Sequence, residues 1–141
     1  MNELPVDQRE YNRKLIAEFR GNGRRLEDRP LLLLTTTGRR TGRPHTAPMM
    51  YIRVDGRMYV IASNAGAVRD PDWYRNLVAE PAVTVEAEGE EYRATARPVA
   101  GEDRPVLWTR IVERYPFFTD HQNDVERKIP VVELIRLATR G

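Results

Sequence analysis

The sequence predicts an α+β domain, with about six mostly antiparallel strands curled into a small barrel and two or three helices packed around it. Three observations lead there. Asp55-Gly56 sits between two apolar, β-branched runs, and Glu88-Gly89-Glu90 between two alternating ones, so two hairpins are expected. Strand-like runs recur along the chain, while helical periodicity is confined to short stretches. The length of 141 residues suits one domain with a core of ordinary size.

The elements follow in order. Residues 4–20 form the first expected helix, striped by Val6, Tyr11, Leu15, Ile16 and Phe19 and ended by Gly21 and Gly23. That stripe either packs on the domain or meets a membrane surface or a partner. The polar stretch from Gly21 to Pro30 reads as a linker. Residues 1–28 are therefore a helix and linker, and residues 29–141 the barrel domain. Leu31–Thr36 is a continuous apolar and β-branched run, as in a strand covered on both faces. His45–Val54 and Arg57–Ser63 flank the Asp55-Gly56 turn.

Asp70-Pro71-Asp72 starts a helix, with Asp70 as N-cap and Pro71 at the first helical position. Trp73, Leu77 and Val78 are its apolar face, and Pro81 ends it. Val83–Ala87 and Tyr92–Arg97 make the second hairpin. A further helix runs from Glu102 through Val106, Leu107, Ile111 and Val112 to about Tyr115, stopped by Pro116. Val131–Ile135 is a last strand.

Composition narrows the chemistry. The chain has no cysteine, which excludes thiol catalysis, disulfides and cysteine-ligated metals. Its two histidines, His45 and His121, form no H-E-x-x-H pattern, so a metal enzyme is not expected. No run of eighteen apolar residues predicts a transmembrane helix. The first residues carry Glu3, Asp7 and Glu10 without an apolar core, which does not resemble a secretory signal. A cytoplasmic protein is expected.

The net charge is only +2, but the charges are unevenly placed. No acid lies between Asp28 and Asp55, where Arg29, Arg39, Arg40, Arg43 and Arg53 all fall. Glu80, Glu86, Glu88, Glu90 and Glu91 come later. A local positive focus suits a small anionic ligand better than a long polyanion, and the later acids argue against nucleic-acid binding.

Three stretches carry candidate chemistry. In the turn Gly38-Arg39-Arg40-Thr41-Gly42-Arg43, glycines let the backbone fold back and arginines offer charged forks for phosphate or carboxylate. Arginines that merely keep a hairpin edge soluble are the alternative. The turn lacks the lysine of a Walker loop and the dinucleotide-binding glycine spacing. Ser63-Asn64-Ala65-Gly66 is a small polar loop able to approach a flat ligand. The following helix places Trp73, Asn76 and Leu77 on one face, either as core or as pocket wall. In the third stretch, Tyr115, Phe117 and Phe118 cluster with His121. They either plug the end of a helix or roof an apolar pocket.

Taken together, Thr35-Thr36-Thr37-Gly38-Arg39-Arg40-Thr41-Gly42-Arg43-Pro44, Pro48-Met49, Ser63 to Gly66 and Pro71-x-Trp73-Tyr74-x-Asn76-Leu77 resemble the deazaflavin-dependent nitroreductase family of actinobacteria. The resemblance runs over about residues 30 to 136. It implies a split β-barrel (FMN-binding-like) that uses coenzyme F420, with FMN as the second choice of cofactor.

It also implies that Arg39, Arg40, Thr41, Gly42 and Arg43 hold the anionic phosphate and polyglutamate tail. Pro48 and Met49 would lie along the ring. Ser63, Asn64, Ala65 and Gly66 would meet its polar edge, and Trp73, Asn76 and Leu77 would complete the pocket. Asn64 stands where relatives often carry a lysine. Phe118 and His121 stand where the nitro-reducing member presents tyrosines.

The activity implied is hydride transfer to a quinone or similar electrophilic acceptor rather than efficient nitroimidazole reduction. A non-catalytic F420 carrier is the alternative. The acceptor would meet Tyr51, Tyr115, Phe118 and His121, with Tyr115 or His121 donating the proton. A monomer or a homodimer is compatible with the sequence, as is peripheral membrane contact through the first helix at the inner face.

Overall fold

The structure is a computed structural model that describes residues 6–25, 30–64 and 67–138. Six strands close into an antiparallel barrel, in the order β1-β2-β3-β6-β5-β4. The strands are β1 (Leu31–Thr37), β2 (Pro44–Val54), β3 (Arg57–Ile61), β4 (Ala82–Ala87), β5 (Glu90–Pro98) and β6 (Val131–Arg136). Four helices surround them: α1 (Val6–Gly21), α2 (Asp72–Ala79), α3 (Asp103–Arg114) and α4 (Phe117–Asn123).

Both expected hairpins are present. Asp55 and Gly56 have φ of 54° and 80°, and Glu88 and Gly89 have 54° and 81°. Two consecutive residues with positive φ suit the twist of the flanking strands, which is why Gly fills the second place of each turn. The barrel closes through β1 and β4, which share only three paired positions: Leu33 with Glu86, Leu34 with Val85 and Thr35 with Thr84.

Side chains alternate across the barrel wall. The interior holds Leu32, Leu34, Met58, Val60, Val83, Val85, Ala94, Ala96, Val132 and Leu134, with Leu77 of α2 reaching into it. A second apolar cluster lies outside the wall. There Ile52, Tyr59 and Val131 meet Leu107, Ile111 and Phe118 of α3 and α4.

The first helix packs on the barrel. Phe19 is fully buried. Arg20 donates from Nε and Nη2 to the two Glu86 carboxylate oxygens at 2.9 and 2.8 Å, and Arg24 Nε adds a third bond at 3.2 Å. The Glu86 side chain is 3 % exposed, so these bonds answer its charge. The expected linker lies partly outside the described residues, at 26–29.

Five local expectations are corrected. Asp70 does not cap α2: Pro71 occupies that place with extended backbone, and the Asp70 carboxylate accepts from Arg127 at 2.7 Å. Val78 points outward, 57 % exposed, while Asn76 and Leu77 are the buried residues of that helix. Val106 likewise faces out, at 67 %. Strand β3 stops at Ile61, and Phe117–Asn123 forms a short helix where no periodicity announced one.

Candidate functional site

The β1–β2 turn is knitted by its own backbone. Gly38 N donates to Arg43 O and Gly42 N to Gly38 O, both at 2.8 Å, and Arg43 N donates to Thr41 Oγ1 at 3.2 Å. A Cβ on Gly38 would fall 2.6 Å from His45 Nε2 and 2.7 Å from Thr41 Oγ1, so glycine here lets those two exposed side chains close over the turn. The three arginines part ways. Arg39 turns inward: its backbone N and Nη1 both donate to Asn76 Oδ1 (3.2 and 3.0 Å), and Nη2 reaches Asp72 at 3.4 Å.

Arg40 and Arg43 are exposed and have no carboxylate partner among the described residues, whereas Arg39 beside them reaches Asp72. The N–H groups of Arg40 and Thr41 find no acceptor among those residues either. Two guanidiniums and two N–H groups in one turn are the donors an anion cradle needs.

Asn76 locks helix α2 to this turn. It is 4 % exposed, and its Nδ2 donates to Thr36 Oγ1 at 3.2 Å. The buried amide thus uses both ends, as buried polar groups must. Trp73 packs with Leu77 and Met49 on the barrel interior, and Trp73 meets Tyr74 edge-on with ring centroids 6.4 Å apart.

Strand parity separates the β2 candidates. Met49 and Tyr51 face the interior cluster, whereas Met50 packs with the outer cluster that contains Phe118 and Tyr115. Pro48 pairs with Leu33 and shares the face of Met50. Tyr51 donates its hydroxyl to Glu88 Oε2 at 3.2 Å. Burial first, and then the Glu88 carboxylate, push the Tyr51 phenol up from its usual value. The Arg53 guanidinium, bonded to Glu88, holds that carboxyl below the usual range.

Ser63 follows β3 and is nearly buried. Asn64 has φ of 50°, and its amide closes the loop by donating to Arg69 O at 3.0 Å. Ala65 and Gly66 lie outside the described residues. Sequence reading missed what anchors this loop. Arg127 donates to Ala62 O (3.1 Å), Ser63 O (2.8 Å), Ala67 O (3.0 and 3.2 Å) and Asp70 (2.7 Å).

The aromatic group lies beyond Arg127. Tyr115 meets Phe117 and Phe118 edge-on at 6.1 and 6.5 Å, and Phe118 meets His121 at 5.9 Å. His121 Nδ1 is buried with no hydrogen-bond partner among the described residues, an acceptor or donor left for something else. The fold therefore brings Tyr115, Phe118 and His121 together; Met50 of β2 packs on the same outer cluster as Phe118, and Tyr51 lies on the other face. A surface cavity of about 500 Å³ between the β2–β3 hairpin and α3 holds none of the expected residues. Its charges are largely matched internally, Arg97 with Glu133 and Arg110 with Asp55.

Residues 8–135 match the family model of the F420H2-dependent quinone reductases. The chain belongs to this family. The enzyme is thus an F420-dependent reductase whose family activity is F420H2-dependent quinone reduction. It is 38 % identical over 129 residues to the F420H2-dependent quinone reductase Rv1261c of Mycobacterium tuberculosis, covering 85 % of this chain and 86 % of that one. Among solved structures, an F420H2-dependent reductase, FDR-A, superposes with a TM-score of 0.68 at 35 % identity, over 78 % of this chain and 97 % of the other. A chain described as a domain-swapped dimer gives 0.70 at 33 % identity, over 93 % and 99 %. The enzyme shares the split-barrel architecture of these neighbours. No helix among its described residues is long and apolar enough to cross a membrane.

Proposed function

We propose that the reductase binds the anionic tail of F420 at Arg40 and Arg43, and presents the ring to a quinone beneath Tyr115, Phe118 and His121. The observation that carries this reading is the pair of unmatched arginines in a turn pinned to α2 through Arg39 and Asn76. Arg39 then acts by holding the turn, Thr41 and Gly42 by shaping it. Pro48 and Met50 share one face of β2, and Ser63 and Asn64 lie at the ring edge. Ala65 and Gly66 keep the role the resemblance implies. Trp73, Leu77 and Met49 back the pocket from the interior.

Bound there, F420H2 would supply the hydride that, with one added proton, converts a quinone to a hydroquinone. The protein's work is orientation and charge placement. Tyr115 has no hydroxyl partner among the described residues, and His121 Nδ1 is unpartnered, so either is available to donate a proton or hydrogen bond to the acceptor. Phe118 supplies an apolar wall where a hydroxyl would have oriented a nitro group, which favours quinones over nitroimidazoles.

A homodimer is proposed because a close structural neighbour is described as a dimer. Peripheral membrane contact through α1 is not favoured. Phe19 is spent on the barrel, and Arg9, Glu10, Arg13, Lys14 and Glu18 make the exposed side charged.

The test mixes the protein with F420H2 and menadione and follows the return of oxidised-cofactor absorbance, with reduced FMN in parallel. Turnover with F420H2 alone is expected. Turnover with FMN alone overturns the cofactor assignment. Tight F420 binding without turnover by any quinone makes the protein a carrier.

A further inference from the structure

We infer that Arg127 is a positioning residue for F420: its guanidinium sets the loop after β3 so that peptide N–H groups face the cofactor. The inference rests on the functional reading above.

Four of the five bonds from the Arg127 guanidinium take three main-chain carbonyls, those of Ala62, Ser63 and Ala67. All peptide bonds of the described residues are trans. In a trans peptide the N–H points opposite to the C=O. Drawing three carbonyls onto one cation therefore aims the N–H groups of Ser63, Asn64 and Val68 the other way. None of these three finds an acceptor among the described residues. Three outward N–H groups on one loop can receive carbonyl oxygens or negative charge, and the polar edge of a deazaflavin offers both.

The guanidinium is itself held in place. Asp70 neutralises it at 2.7 Å, and its side chain is only 16 % exposed. A planar fork can serve several carbonyls at once, which an ammonium cannot. The backbone of Arg127 is fixed as well: Gln122 Nε2 donates to Arg127 O at 2.7 Å, and Gln122 Oε1 accepts from Ile129 N at 2.9 Å. Gln122 belongs to α4, one residue after His121. The loop read as the ring edge and the helix read as the acceptor roof thus share one anchor. This also accounts for a departure noted in the sequence. With Asn64 where relatives often carry lysine, the loop must hold the ring by its backbone, and that backbone is set by Arg127.

The experiment compares wild type with Arg127→Ala and Arg127→Lys. It measures F420 dissociation constants by equilibrium dialysis, and kcat and the menadione KM at saturating F420H2. Removing a charged donor to several carbonyls should weaken F420 binding by about tenfold or more. The menadione KM should stay unchanged, and Arg127→Lys should recover only part of the loss. Dilute guanidinium chloride should restore binding to Arg127→Ala, whereas equal sodium chloride should not. Wild-type affinity in folded Arg127→Ala overturns the proposal. So does a loss that merely tracks the unfolded fraction and that guanidinium does not repair. Should Arg127→Ala fail to fold, Arg127→Lys decides: unchanged F420 affinity overturns the proposal, and weakened affinity in a folded protein supports it. Wild type is titrated first. If it does not bind F420, the functional reading itself has failed, separately from any result on Arg127.

Discussion

Arg39 and Asn76 are joined twice, because the backbone N–H and the guanidinium of Arg39 both donate to the one Asn76 Oδ1. The amide of Asn76 returns the favour to β1 by donating to Thr36. One buried side chain thus sets turn, strand and helix in fixed relation. Asn76→Leu keeps the size but strands the Arg39 donors, and should cost about 1–3 kcal/mol of stability. F420 affinity should fall with it. A urea midpoint and a binding titration on the same sample check both effects.

Arg40 and Arg43 should behave in the opposite way. Exposed and unpaired, they contribute little to folding, so Arg40→Ala with Arg43→Ala should leave stability within about 0.5 kcal/mol. F420 binding should drop by roughly 10- to 100-fold through lost charge-assisted bonds. The remaining affinity should depend less steeply on salt, as the screened contribution is gone. Unchanged affinity would move the tail site elsewhere.

Acid should loosen the α1 dock. The hydrogen bond from Arg20, with Arg24 behind it, holds the Glu86 carboxyl below its usual range. A native pKa below the unfolded one gives stability that is fully present above the ordinary glutamate value. That stability is lost as pH falls through the native value. Glu86→Gln should therefore lower stability at neutral pH by about 1 kcal/mol, a modest figure because Arg20 is nearly half exposed. It should also flatten the acid limb of a urea-midpoint profile. Glu88, held low by Arg53, supplies the acid sensitivity that remains.

Tyr115→Phe tests the acceptor side. The ring contacts with Phe117 and Phe118 survive the change, so folding should be preserved. The F420 dissociation constant should not move. If Tyr115 gives the proton, kcat should fall by roughly 100-fold or more; a loss shared with His121→Phe would divide the role. An unchanged kcat in both variants would leave solvent as the donor.

The barrel was legible wherever local signals suffice. Asp55-Gly56 and Glu88-Gly89 mark turns by their own chemistry, and the six strands follow from them. Helix α4 was not legible, since seven residues give too little periodicity, and the aromatic run Phe117-Phe118 reads equally well as a loop plug. Asp70 looked like a cap because Pro71 follows it, yet a cation 57 residues away claims its carboxylate.

Arg127 was invisible for the same reason: every partner of its guanidinium lies 57 to 65 residues distant in the chain. Neighbouring residues on β2 were assigned as if they shared a face. Pleating puts Met50, not Tyr51, on the face of the outer cluster to which Phe118 and Tyr115 belong. The charge cluster of the first turn could be read from sequence, but the inward role of Arg39 could not, because it depends on where α2 lands.

The three-position seam between β1 and β4 has a wider consequence. Glu86 sits in that seam opposite Leu33, and it is the residue that Arg20 and Arg24 grip. Helix α1 is therefore a staple across the place where the cylinder is fastened most briefly. Shortening the chain from its start would leave two strand edges able to part and seek other edges. A second copy offers those edges, so exchange of strands between copies becomes the natural response to a lost staple. Amide exchange at Thr84, Val85 and Glu86 would record the first opening of that fastening.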